Sequence, residues 1–193
     1  MKQSTFKLLA VFFLSAALIA FEISVMRTFS VGSWSNFGSM VISIALLGFG
    51  LAGTLLTYIQ RWIKAKPNTW LSNCALFLMP AMALAHVSAQ LVPFNPVMIV
   101  ADFSQVLLIG AYYAIYAVPF FIGGLFIGIA FIAISSRIHQ LYFWNMVGSG
   151  TGGFFILGCM YIFPPQFLVV PLLVVSLAAV IFCYLRYNEK TKE

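Results

Sequence analysis

Residues 21–53 read FEISVMRTFSVGSWSNFGSMVISIALLGFGLAG. Two apolar runs are joined by a short turn rich in Gly, Ser and Asn, and the second run is cut by Gly48, Gly50, Ala52 and Gly53. Apolar run, polar turn, apolar run with small residues is the pattern of two membrane-crossing helices packed against others. The first run also holds Glu22, deep among apolar residues, with Arg27 five positions on.

The rest of the chain extends this pattern. Of 193 residues, 63% are hydrophobic and 7% charged, and the mean hydropathy is +1.04. A water-soluble domain of this size could not cover its surface with so few polar groups, so the solvent for most of the chain is the lipid bilayer. The net charge of +6 does not point to nucleic acid, because the basic residues sit at the ends of apolar segments. There they set topology and meet anionic headgroups. Cys74, Cys159 and Cys183 all fall in apolar segments without C-x-x-C spacing and read as small buried hydrophobes. Lys2 and Lys7 precede an apolar run longer than a signal-peptide core, with no clear cleavage site before Glu22, so a retained first helix is expected.

Six apolar segments can be marked, near 8–26, 37–59, 70–91, 103–134, 141–163 and 167–185. The fold class is therefore all-α, a polytopic helical bundle in a single transmembrane domain. The fourth segment is too long for one straight crossing of a ~30 Å core. Pro119 near its middle, followed by Gly123 and Gly124, predicts a kink or strong tilt, not two spans, which would need a polar turn. With six spans, nine of the ten basic residues fall on one side and Arg27 stands alone on the other. The positive-inside rule then puts both termini in the cytoplasm, in a bacterial inner membrane. Trp34, Trp70 and Trp144 lie near span ends, as interfacial anchors do. The connections are short, which predicts that consecutive spans pack side by side. The connection 92–102 contains Pro93 and Pro96 and is expected to turn back on itself. The tail after Leu185 is too short for a soluble catalytic domain.

The second and fifth segments both spell G-x-G-x-x-G, at Gly48-Gly50-Gly53 and Gly148-Gly150-Gly153. As a dinucleotide loop this motif needs a preceding strand and a βαβ unit, and neither is present. Close helix approach is its physical use here, with Gly48/Ala52, Gly124/Gly128 and Gly148/Gly152 each four apart on one face. A narrow substrate path is the second reading of the same residues. The two motifs are the middle members of spans one to three and four to six. They fit a 3+3 inverted repeat, or a chance match among small residues common in membrane helices.

Glu22 is the residue with the most chemistry. A carboxylate in hydrocarbon must be paired, protonated or facing a cavity. Arg27 is about 140° around the helix at ~3.6 residues per turn, a poor but reachable partner. His86, Tyr112 and Tyr113 fall at similar depth in the third and fourth spans, so a polar cluster with Glu22 and Arg27 is allowed. It reads either as a proton or ligand site or as a polar staple between helices. His86 lacks a second histidine at its depth for a bis-histidine haem, since His139 lies at the other side. No catalytic triad, carboxylate pair or metal cluster can be assembled, so no cofactor or metal is expected. Asn145 is placed to hydrogen-bond a neighbouring helix.

These residues carry a family resemblance. Phe21-Glu22 with Arg27, the turn from Ser33 to Gly38 and IALLGFGLAG over Ile44–Gly53 resemble the first two spans of the membrane module of spermidine-synthase-like membrane proteins. VPFFIGGL over Val118–Leu125 resembles the P-F-F-x-x-G of that module, and LYFWNMVGSG over Leu141–Gly150 resembles its L-Y-x-x-[DN]-L-x-G-[AS], with Met146 in place of leucine. The resemblance implies a six-span, half-transporter-like module and marks Glu22, Arg27, Pro119, Tyr142 and Asn145 as family features. Those proteins usually continue into a cytosolic synthase-like domain. No residue here matches its catalytic motif, so aminopropyl transfer does not carry over.

Three functions are open from sequence. The first is a non-catalytic scaffold or accessory subunit that binds a protein partner in a membrane complex or forms a homo-oligomer. The second is a small proton-coupled transporter, or half of one, with its site around Glu22. The third is a membrane enzyme acting on a lipid-soluble substrate.

Overall fold

A chain dissolved in lipid must satisfy its backbone amides internally, and helices do so within one segment. The computed structural model is helical accordingly, with α1 (Lys2–Gly32), α2 (Met40–Ala65), α3 (Pro67–Gln90), α4 (Ser104–Ala133), α5 (Ile138–Cys159) and α6 (Val169–Lys190). Short 3-10 turns at Ser135–Arg137 and Pro165–Phe167 precede α5 and α6. The structure describes residues 2–32, 38–95, 98–99 and 102–190, and no strand occurs among them. Trp34, the turn residues 33–37, Pro96, Lys192 and Glu193 lie outside the described residues, as do the side chains of Lys2, Arg186, Glu189 and Lys190.

Among the described residues, five helical segments are long and apolar enough to cross a membrane: Thr5–Val31, Met40–Ala65, Pro67–Gln90, Ser104–Ala133 and Pro165–Tyr184. The 22 residues of α5 suffice in length, but His139, Gln140, Asn145 and its glycines dilute its hydropathy. The long fourth segment forms one helix of 30 residues that continues through the buried Pro119. Its start is fastened by Asp102, whose carboxylate accepts the Ser104 N–H at 2.9 Å and also the Ser104 hydroxyl and the Gln105 amide. Those bonds, the Ser104 hydroxyl first, hold the Asp102 carboxyl below the usual carboxylate range. Gln105 in turn accepts the Asn95 N–H at 2.9 Å and draws the preceding loop onto α4.

α1 has no distinct polar face, as suits a helix with neighbours on several sides. Of its spanning window, 67% is buried, against 28% for α2, which buries the stripe Val41, Ile44, Ala45, Gly48, Ala52 and, near its end, Ile63. The expectation that consecutive helices pack side by side holds for α3/α4 and fails for the other four connections. α1 packs mainly on α5 and α6, and α4 mainly on α2 and α3, while α1/α2, α2/α3, α4/α5 and α5/α6 barely meet. Short connections bring helix ends together, but the faces that allow close approach choose the partner. Gly48 of α2 fits the α4 backbone at Ala117–Phe121, and Gly148 and Gly152 of α5 fit the α1 backbone at Phe12 and Ala16.

Two rows result, α5–α1–α6 and α2–α4–α3. They join in the middle where α1 meets α4, through Leu18 against Gly123 and Phe21 against Phe120, and at one side where α3 meets α6. α1 and α5 run parallel, because Gly148 meets Phe12 and Gly152 meets Ala16. α2 and α4 also run parallel, because Gly48 meets Ala117–Phe121 and Leu56 meets Gly128. α6 runs against α1, with Phe182 stacked on Phe13 at 5.4 Å. Lys64 and Arg137 thus mark one end of the bundle, Arg27 and Asp102 the other.

Candidate functional site: the cleft between α2 and α5

The rows close where α3 meets α6 and stay apart where α2 faces α5, which have no substantial contact. The gap is a cleft of about 410 Å³ with α1 and α4 as floor and α2 and α5 as walls. Leu18 and Ile19 of α1, Phe49 and Leu56 of α2 and Ile127 of α4 make it apolar. Gly53, Gly124 and Gly128 keep it open by lacking side chains.

Its polar groups are Ser15, Asn145 and Ser149. Ser15 is buried, and its hydroxyl donates to Asn145 Oδ1 at 2.6 Å across the α1–α5 seam. Next to Asn145 in α5, the Trp144 indole meets the Phe12 ring edge-on at 5.9 Å. Asn145 and Ser149 are one turn apart on α5, so both reach the same wall. Among the described residues the Asn145 N–H groups and the Ser149 hydroxyl have no protein partner. Ser15, Leu18, Ile19 and Glu22 follow the i, i+3, i+4, i+7 spacing of one helix face. Glu22, half-buried, lies on the same face of α1 one turn beyond the lining residues, towards the Arg27 end.

The cluster allowed by the sequence does not form. Among the described residues neither a hydrogen bond nor an ion pair joins Glu22 to Arg27, which is exposed. His86 is buried on the closed side of the bundle, its Nε2 2.9 Å from the Gln166 carbonyl oxygen, where it ties α3 to the turn before α6. The Tyr112 hydroxyl donates to the Val92 carbonyl at 3.3 Å, and its ring stacks on Tyr116 and meets Phe29 edge-on. Tyr113 is half-buried against the apolar core. Depth alone grouped these residues; helix faces and row order separate them.

The glycines divide in the same way. Gly48, Gly124, Gly128, Gly148 and Gly152 sit where a Cβ would collide with a neighbouring helix, and Ala52 fills the same role against Gly124. Gly50 and Gly53, read from sequence as packing positions, meet no neighbouring helix: a Cβ on either has nothing within 4 Å. Gly50 is rotated off the Gly48/Ala52 face, and Gly53 opens into the cleft. Tyr142, marked by the family resemblance, is exposed.

A second groove, of about 550 Å³ between α3 and α4, has Ser88 as its single polar lining residue and otherwise residues such as Phe77, Leu84 and Val118. Among the described residues no group of three or more His, Cys, Asp or Glu side chains gathers to hold a metal. The three cysteines are buried and none is in a disulfide. The cleft can therefore bind an apolar molecule and offer it hydrogen-bond donors at one level. Comparison with protein-family models, with curated proteins and with solved structures finds no match to this chain.

Proposed function

We propose that the chain is a small proton-coupled membrane transporter, or one half of a dimeric transporter, with the α2–α5 cleft as the solute path and Glu22 as its proton-carrying group. The observation that carries this reading is the cleft itself: two rows of helices touch at the centre and at one side but part at the other, around unpartnered polar groups. Two rigid units hinged on one side can rock and expose such a path to each face in turn.

Six crossings belong to this reading. Parallel packing along α1 supports α5 as the sixth, since a helix of 22 residues is ~33 Å long and lies beside a spanning partner. With six, both termini are cytoplasmic and the membrane is a bacterial inner membrane by the basic residues at the Lys64–Arg137 end. A 3+3 inverted repeat is supported by exchange of partners: α1 takes the last two helices of the second half, and α4 those of the first. Positions 48 and 148 are both blocked, and positions 50 and 150 both open. The resemblance to the membrane module of spermidine-synthase-like proteins agrees with this architecture and stays part of the proposal.

The accessory-subunit reading draws on outward-facing residues such as Leu46, Leu51 and Tyr58. Lipid contact alone accounts for these. Single-cysteine labelling tests the transporter reading. With Cys74, Cys159 and Cys183 replaced by alanine, Ser149→Cys in proteoliposomes should react with an impermeant maleimide applied from either side. Reaction from one side only would remove the carrier reading.

A further inference from the structure

We infer that the α2–α5 cleft binds a membrane-dissolved molecule with an apolar body and one hydrogen-bond-accepting carbonyl oxygen, held by the Asn145 amide and the Ser149 hydroxyl. The volume of about 410 Å³ falls within the range of small-molecule sites. Leu18, Ile19, Phe49, Leu56 and Ile127 would leave a charged or sugar-like solute unsolvated, so the body of the ligand is apolar.

The polar end is set by which atoms are already used. Ser15, 1% exposed, donates its hydroxyl to Asn145 Oδ1. That bond occupies the acceptor of the amide and fixes its plane, leaving the N–H groups for the cleft. Ser149, one turn further on, adds a second donor without a protein partner. A pair of donors in a hydrocarbon-lined site is complementary to a carbonyl oxygen, which lipid tails do not supply. A fatty-acyl ester and a lipid quinone share this chemistry. The α3–α4 groove, with Ser88 alone, has no such pair and is suited to an ordinary acyl chain.

This identification rests on the cleft being the solute path, yet the two fail separately. Saturable binding with one-sided access at position 149 leaves a lipid-holding site and no carrier, whereas two-sided access without saturable binding leaves a carrier of another solute.

The test is photo-labelling of the full chain in nanodiscs by a monoacylglycerol bearing a diazirine in its acyl chain, with the labelled peptides mapped by mass spectrometry. Saturable labelling is expected at Leu18, Ile19, Phe49, Leu56 and Ile127. Unlabelled monoolein should compete and hexadecane, which has no acceptor, should not. Decylquinone competing more strongly than monoolein would identify the quinone class, and the reverse the ester class. Ser149→Ala, which breaks no protein hydrogen bond, should weaken competition about fivefold, and Asn145→Leu at least as much. Labelling spread over the lipid face at Leu51 and Leu55, equal competition by hexadecane, or no change in Ser149→Ala would overturn the assignment.

Discussion

The α1–α5 and α2–α4 seams are built on the same device and differ in what accompanies it. In each, a helix with G-x-G-x-x-G lies parallel to a partner and presses two small residues into it, Gly148 and Gly152 in one, Gly48 and Ala52 in the other. On α1 the obstacle is backbone: a Cβ at Gly148 or Gly152 would collide with the carbonyl of Phe12 or Ala16. On α4 part of the obstacle is side chain, and a Cβ on Gly48 would lie 2.6 Å from Phe120 Cβ and 2.9 Å from Ala117 O. Both seams carry an edge-on aromatic pair, Phe12 with Trp144 at 5.9 Å and Phe49 with Phe120 at 6.0 Å, and the α1–α5 seam adds the Ser15–Asn145 hydrogen bond. Close approach is thus common to both seams, and polarity is confined to the one that forms the cleft wall with donors.

The comparison breaks first at the glycines. Gly152→Val should cost ~3 kcal/mol or more, because backbone on both sides cannot give way, and should remove the monodisperse peak in detergent chromatography. Gly150→Val, which adds atoms where nothing lies within 4 Å, should stay within about 0.5 kcal/mol and unfold at the parent temperature. Gly48→Ala ranks next, at ~1–3 kcal/mol in the same thermal assay. Gly128→Ala should cost clearly less, since the opposing atom is the mobile end of Leu56.

The hydrogen bond sharpens the contrast. Ser15→Ala and Asn145→Ala should each destabilise by ~0.6 kcal/mol, at most ~1.7, with a double-mutant coupling of the same size. Additive losses would mean that the bond contributes nothing to the seam. The smallest effect is expected at Asp102, away from both seams. Its carboxyl is lowered by the Ser104 and Gln105 bonds, so its stabilisation is present above the ordinary carboxylate value and is lost as pH falls through the lowered one. Asp102→Asn should leave the unfolding temperature slightly lower at neutral pH and unchanged in strong acid.

The helices, the single long α4 and the small faces at 48/52 and 148/152 were legible in the sequence, because period and composition report on each helix by itself. Row order was not. A glycine face shows that something comes close without saying which helix, and the short connections suggested the wrong neighbours. Gly50 could have been separated from Gly48 by helical rotation alone. Asn145 announced a hydrogen bond, but its partner Ser15 reads as one more small residue in an alanine-rich run. Glu22 was grouped with His86 by depth. The stripe Ser15, Leu18, Ile19, Glu22 was the signal that puts it on the face of α1 that lines the cleft.

The most direct test of the interlocked rows and their cleft is disulfide cross-linking in membranes, with the native cysteines replaced by alanine. The pair Ser15→Cys/Asn145→Cys should cross-link rapidly under mild oxidation. The pair Gly53→Cys/Ser149→Cys should resist direct oxidation and join only through a spacer reagent. Rapid direct cross-linking of 53 to 149 with none between 15 and 145 would contradict the arrangement.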